Sequence, residues 1–185
     1  MAYQSINEES ILCKKHDIIL KKIKNKKMFT LEFISSNKNI QVKNIIDVNL
    51  YRVIAEINKD IIERIDIFDD DTGNAKLLFL FKRFGSELGL AQKYMYLEVI
   101  REDCDSLIKL SSKSIPCPIN IKNCEIAKSD CADLYVTMID NHSAHIKYNF
   151  NIDFNEDLPV YMENLPGFLM KKIFVRVKTF IENLK

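Results

Sequence analysis

The side chains best suited to reactive chemistry in this 185-residue chain are three histidines and five cysteines. Asp140, His142 and His145 lie close in sequence, and carboxylate and imidazole are good zinc ligands. In the hairpin this segment predicts, however, His142 falls in the turn and His145 on the outward face, so no third or fourth ligand converges with them. Cys117, Cys124 and Cys131 have neither the C-x-x-C spacing of a redox pair nor that of a zinc ribbon, and an odd cysteine total points to free thiols. His16 has no evident nucleophile beside it, and no Gly-x-Ser-x-Gly elbow occurs. Gly85-Ser-Glu-Leu-Gly89 lacks the Lys-Ser/Thr of a phosphate loop, and Asp69-Asp-Asp-Thr-Gly-Asn74 lacks the ligand alternation and closing Glu of a calcium loop. Both read as turns. These residues assign no cofactor, no metal and no catalytic group, so the chain reads as a non-enzyme.

Tyr148 is different in kind. It lies in the run 143–154, where Ile146, Tyr148, Phe150, Ile152 and Phe154 alternate with polar residues in the period of a half-buried strand. A tyrosine on the covered face must find a partner for its hydroxyl. The cover is predicted to be a helix over 159–185, begun by Pro159, with Leu169, Ile173, Val177, Phe180 and Leu184 spaced by three or four.

The rest of the chain supplies the frame. A first helix is expected over 6–26, because Ile11, Leu12, Ile18, Ile19 and Ile23 form a broken apolar stripe. Next come a hairpin of 29–34 with 40–46, turned by Asn37-Lys-Asn39, and one or two short helices from Val48, capped by Asp47 and broken near Asn58. Strands follow over 76–84, 93–101, 106–114, 133–140 and 143–154. No linker or repeat divides the chain, so one domain over 1–185 is expected.

Lys+Arg 27 against Asp+Glu 26 leaves a net charge of +1, without the basic field that drives nucleic-acid binding. The cluster Lys21, Lys22, Lys24, Lys26 and Lys27 reads first as the solvated end of the expected helix and second as a site of transient peripheral membrane contact. The N-terminus has no secretory signal and no segment suits a membrane span, so a cytoplasmic protein is expected.

The order α, ββ, α, strands, α, closed by Asp153, Leu158-Pro159 and a long helix, resembles the START (StAR-related lipid-transfer) domains of the helix-grip superfamily. Val48-Asn-Leu-Tyr-Arg-Val-Ile-Ala-Glu-Ile57 is similar to that family's short helix and Lys93-Tyr-Met-Tyr-Leu-Glu-Val-Ile100 to its central strand. Ser112-Lys-Ser114 with Pro116 and Pro118 resembles its serine-then-proline segment. The family's Trp-Asp and Arg-Asp pairs are replaced here by Ile65-Asp66 and Gln92-Lys93. The resemblance implies an α+β helix-grip fold: a curved antiparallel sheet wrapped around the C-terminal helix, with an N-terminal helix and short helices after the first hairpin. It further implies that a lipid or other hydrophobic small molecule is bound, and transferred within the cell, in a large apolar cavity beneath that helix. By face and parity the lining candidates are Leu134, Val136 and Met138, then Ile146, Tyr148, Phe150 and Ile152, then Phe174, Val177 and Ile181. Related domains also serve as adaptor or co-chaperone modules and as cyclase or aromatase enzymes, which stay open as alternatives.

Overall fold

The computed structural model describes residues 8–24, 26–68, 74–86, 89–155 and 158–185. The calcium-like segment therefore falls almost wholly outside the described residues. Among these residues the strands are β1 (Glu9–Lys15), β2 (Ile18–Ile23), β3 (Phe29–Ser36), β4 (Ile62–Phe68), β5 (Ala75–Phe81), β6 (Gln92–Cys104), β7 (Leu107–Ser114), β8 (Cys124–Ile126), β9 (Ala132–Asp140) and β10 (Ser143–Phe150). The helices are α1 (Asn49–Ile57), between β3 and β4, and α2 (Leu165–Asn183), at the end. The strands form one curved, open sheet in the order β1-β2-β3-β10-β9-β7-β6-β5-β4, with β8 added in parallel to β6. All other pairings are antiparallel.

The expected N-terminal helix is instead the hairpin β1–β2. Its two-residue turn is His16-Asp17, both at positive φ (58° and 56°), a conformation in which histidine and aspartate are enriched. A bulge between Ile11 and Cys13 breaks the alternation of β1, so its Ile11 and Leu12 combine with Ile18, Ile19 and Ile23 of β2 at spacings that mimic a helix. The lysine cluster accordingly lies on β2 and the turn after it, not at a helix end. Most of it is charge-paired: Lys21 with Glu32 (2.9 Å) and Glu9 (3.4 Å), Lys22 with Glu163 (3.1 Å), Lys24 with Glu8 and Lys27 with Asp153 (3.5 Å).

Two further expectations change. Segment 40–46 does not pair with β3, whose edges are taken by β2 and β10. It forms a 3-10 turn over Val42–Ile45, where Val42 and Ile46 are buried as plugs of the core. One short helix, α1, then ends at the buried Asn58, whose Nδ2 donates back to the Ile54 carbonyl at 2.9 Å. Beyond it the chain enters β4, where a bulge between Ile62 and Arg64 again disguises strand alternation as helical spacing.

Helix α2 begins at Leu165, later than expected, with Pro166 in its first turn, while Pro159 precedes a separate 3-10 turn over Val160–Met162. The helix buries Ile173, Phe174, Val177 and Ile181 against the sheet, each worth roughly 1.5–3 kcal/mol relative to exposure. Three polar contacts fix its pose. Asn37 donates to the carbonyls of Ile181 (2.6 Å) and Leu184 (2.8 Å), satisfying acceptors at the helix C-terminus. Buried Lys171 donates to the Lys15 carbonyl at 3.0 Å. Asp60, in the turn after α1, accepts from Lys172 (2.8 Å) and from Arg176 Nη2 (3.0 Å). No described helix is long and apolar enough to cross a membrane.

Candidate functional site

Because side chains alternate across a strand, every second residue of the central strands faces α1 and α2. Phe79 and Phe81 of β5, Met95 and Leu97 of β6, Leu110 and Ser112 of β7, Ala132 and Leu134 of β9 and Tyr148 of β10 form one concave wall. Leu50, Tyr51 and Ile54 of α1 close one side, and Met170, Ile173 and Phe174 of α2 form the roof. Ile62, Ser129 and Ile152 complete the lining. The enclosed space is about 60 Å³, room for a few water-sized bodies. The resemblance implies a large apolar cavity, and ligand pockets usually enclose several hundred cubic ångströms, so this space is smaller than expected. Aromatic rings account for much of the difference: Tyr51 and Phe79 meet edge-on at 5.8 Å, and Phe174 lies 5.1 Å from Tyr148.

Of the residues assigned to the lining by parity, Leu134, Tyr148, Ile152 and Phe174 face this space. Val136, Ile146, Val177 and Ile181 are buried core outside it, and Met138 is half-buried against that core. Phe150 is stacked between Phe29 (5.6 Å) and Tyr148 (4.8 Å). The unforeseen lining comes mostly from α1, β5, β6 and β7, with Ile62, Ser129, Ala132, Met170 and Ile173 besides. Residues 77–81 are apolar and buried on both faces of β5, so parity does not separate Phe79 and Phe81 from their neighbours, and only the sheet order places them on the wall that carries Tyr148.

No Asp, Glu, Lys, Arg or His is among the described lining residues. Its polar atoms are the hydroxyls of Tyr51, Tyr148, Ser112 and Ser129. Ser112 donates to the Ala132 carbonyl at 3.3 Å and Ser129 to Asn151 Oδ1 at 3.4 Å. Burial pushes both phenols far above their ordinary pKa, and for Tyr148 the neighbouring Tyr51 adds to the effect. Both rings are thus neutral donors at physiological pH.

The residues considered for a metal site have structural partners. Asp140 accepts from the His142 amide (2.7 Å) and the Ser143 hydroxyl (2.6 Å), a ring nitrogen of His142 bonds the Ile40 carbonyl (2.8 Å), and His145 Nε2 meets Glu32 at 3.1 Å. Among the described residues no group of His, Cys, Asp and Glu is arranged to hold a metal. All five cysteines are free thiols.

A curved antiparallel sheet that wraps a long C-terminal helix, with a short helix closing one flank, is a helix-grip architecture. Within that architecture the fold is that of START lipid-transfer domains. Human STARD10 superposes with a TM-score of 0.77 at 10% identity, over 94% of this chain and 72% of that one. Human StAR-related lipid transfer protein 5 gives 0.77 at 9% identity, over 97% and 88%. Norcoclaurine synthase from Thalictrum flavum is more remote, at a TM-score of 0.51 and 12% identity over 91% of each chain. No family model matches the sequence, and no curated protein matches it.

Proposed function

We propose that residues 1–185 form one domain that binds a lipid or other hydrophobic small molecule beneath α2 and transfers it between membranes. The observation that carries this reading is the interior space itself: apolar, with no charged side chain among its described lining residues, and bounded by two helices at the mouth of a curved sheet. The fold shared with StAR-related lipid transfer protein 5 supports it. Among the described lining residues there is also no carboxylate, imidazole or amine suited to proton transfer at neutral pH, which favours binding over acid–base chemistry. Five free thiols suit a reducing, cytoplasmic setting. A long ligand needs more room than about 60 Å³, and half-buried Met170, with its flexible unbranched side chain, is suited to swing aside. Mass spectrometry of organic extracts from the purified protein, paired with lipid transfer between donor and acceptor vesicles, tests the reading. Copurified lipid and saturable transfer support it, and neither being found refutes it.

The small cavity also favours a second reading, a protein-interaction module with a filled core. Val160 (83% exposed), Tyr161 (78%) and Phe168 (45%) form exposed apolar surface at and just before the start of α2. Under this reading Tyr161→Ser abolishes partner capture while any lipid content is unchanged.

A further inference from the structure

Tyr51 and Tyr148 come from opposite sides of the cavity, one on the short helix α1 and one on β10. Protein surrounds both rings, yet each keeps some accessible surface because each borders the interior space. Neither hydroxyl makes a hydrogen bond among the described residues. The two serines of the lining, by contrast, already have carbonyl acceptors. Both phenolic oxygens keep some accessible surface, so in this largely apolar pocket each needs a water or a ligand atom as its partner, and leaving it unmet is costly. The described lining residues include no cation to neutralise a phosphate or carboxylate and no anion to meet an amine. A charged headgroup brought against it would be stripped of water and left unpaired.

We infer that the ligand of this cavity is an uncharged hydrophobic molecule bearing a hydroxyl, ester or other carbonyl oxygen, held by hydrogen bonds from Tyr51 and Tyr148. The inference rests on the binding function proposed above and narrows it to neutral, oxygen-bearing lipids. Such an oxygen accepts from one phenol or from both. An alkane of the same length leaves both phenols unmet, and a fatty-acid anion adds an uncompensated charge.

The test uses the intact protein and four probes presented together in vesicles at about pH 9.5, where a fatty acid is ionised even with the raised pKa it has at a membrane surface: hexadecanol, hexadecane, hexadecanoate and a phosphatidylcholine. After repurification the retained molecules are quantified by mass spectrometry. Hexadecanol is expected to be retained roughly tenfold or more over hexadecane and hexadecanoate. Tyr51→Phe and Tyr148→Phe, which keep the rings, are each expected to lower the alcohol-to-alkane ratio roughly three- to tenfold without changing hexadecane retention. Hexadecanoate retained as well as hexadecanol overturns the inference, as does a ratio unmoved by both substitutions. Retention of phosphatidylcholine alone also overturns it but leaves hydrophobic-ligand binding standing. Retention of none of the four overturns both.

Discussion

Replacing Gly167 with alanine puts a methyl group where the fold has left no room. A Cβ at this position would lie 2.7 Å from Phe29 Cδ1 and 2.9 Å from Cε1, whereas carbon atoms rest about 3.5–4.0 Å apart. Phe29 is only 1% exposed and its ring is stacked on Phe150 at 5.6 Å, so the ring has nowhere to retreat. Either α2 lifts at its first turn or the aromatic stack shears. Overpacking of this kind costs about 1–3 kcal/mol. Against it stands the helix-propensity gain of alanine over glycine, at most about 1 kcal/mol and less in a first turn. The net expectation is a loss of about 1–2 kcal/mol, which for a chain of this length lowers Tm by roughly 2–8 °C. Phe29→Leu should relieve the clash: the double variant is expected to lose about 1 kcal/mol less than the sum of the single losses, a coupling that calorimetry or urea unfolding can read. A Tm that rises in Gly167→Ala, or strict additivity with Phe29→Leu, would show that the start of α2 does not press on β3 and would refute the reasoning.

Three other perturbations have defined outcomes. Asn37→Ala strips the C-terminal carbonyls of α2 of two buried donors and is expected to cost about 1–3 kcal/mol in urea unfolding; an unchanged midpoint would mean that α2 does not depend on this clamp. Arg176 and then Lys172 hold the Asp60 carboxyl well below the usual carboxylate range. Its stabilisation is therefore present above the unfolded pKa of about 4 and lost as pH falls through the lower folded value. Because Asp60 is half exposed, Asp60→Asn should cost less than about 1 kcal/mol at neutral pH, with the difference from wild type shrinking below about pH 4. A difference that grows with acid would contradict this sign. Finally, ultraviolet titration of the folded protein at rising pH should find Tyr51 and Tyr148 un-ionised until the chain unfolds. In each single Phe variant the absorbance step that accompanies unfolding should lose one tyrosine; ionisation of both while the protein is folded would place water at their hydroxyls.

Where strands run without interruption, their pattern was legible. β9 and β10 reverse at Asn141-His142 and, past one irregularity between Ser143 and Ala144, alternate cleanly, and β7 begins within a residue of its expected start. Reading failed where a bulge intervenes. A single inserted residue moves the following side chains to the other face, so Ile11, Leu12, Ile18 and Ile19 could be laid on a helical stripe as easily as on two strands. β4 was lost the same way, between Ile62 and Arg64. The turn that would have exposed the first hairpin contains His16 and Asp17 at positive φ, where the recognisable signal is Asn-Gly. Alternation also outlasted its strand: β10 stops at Phe150, while Ile152 and Phe154 stay buried beyond it, with Asp153 making only an isolated bridge to Lys128.

The cavity shows a different limit, because parity names a face but not a level along it. Leu110, Leu134 and Tyr148 lie side by side across β7, β9 and β10, and this rung borders the open space. Two residues further along, Ile108, Val136 and Ile146 form the next rung on the same face, and it is solid core. Along α2 the same order holds. Ile173 and Phe174 sit over the open rung, whereas Val177 and Ile181 belong to the packed region toward the end that Asn37 ties down. The distance between helix and sheet at each level follows from sheet curvature and from contacts such as Phe29 with Gly167, which join residues far apart in the chain. A pattern read one segment at a time contains the faces of Val136 and Leu134 but not this difference in depth. For the same reason Tyr148 could be singled out from its own strand, while Tyr51 became its counterpart only once α1 was folded against the opposite wall.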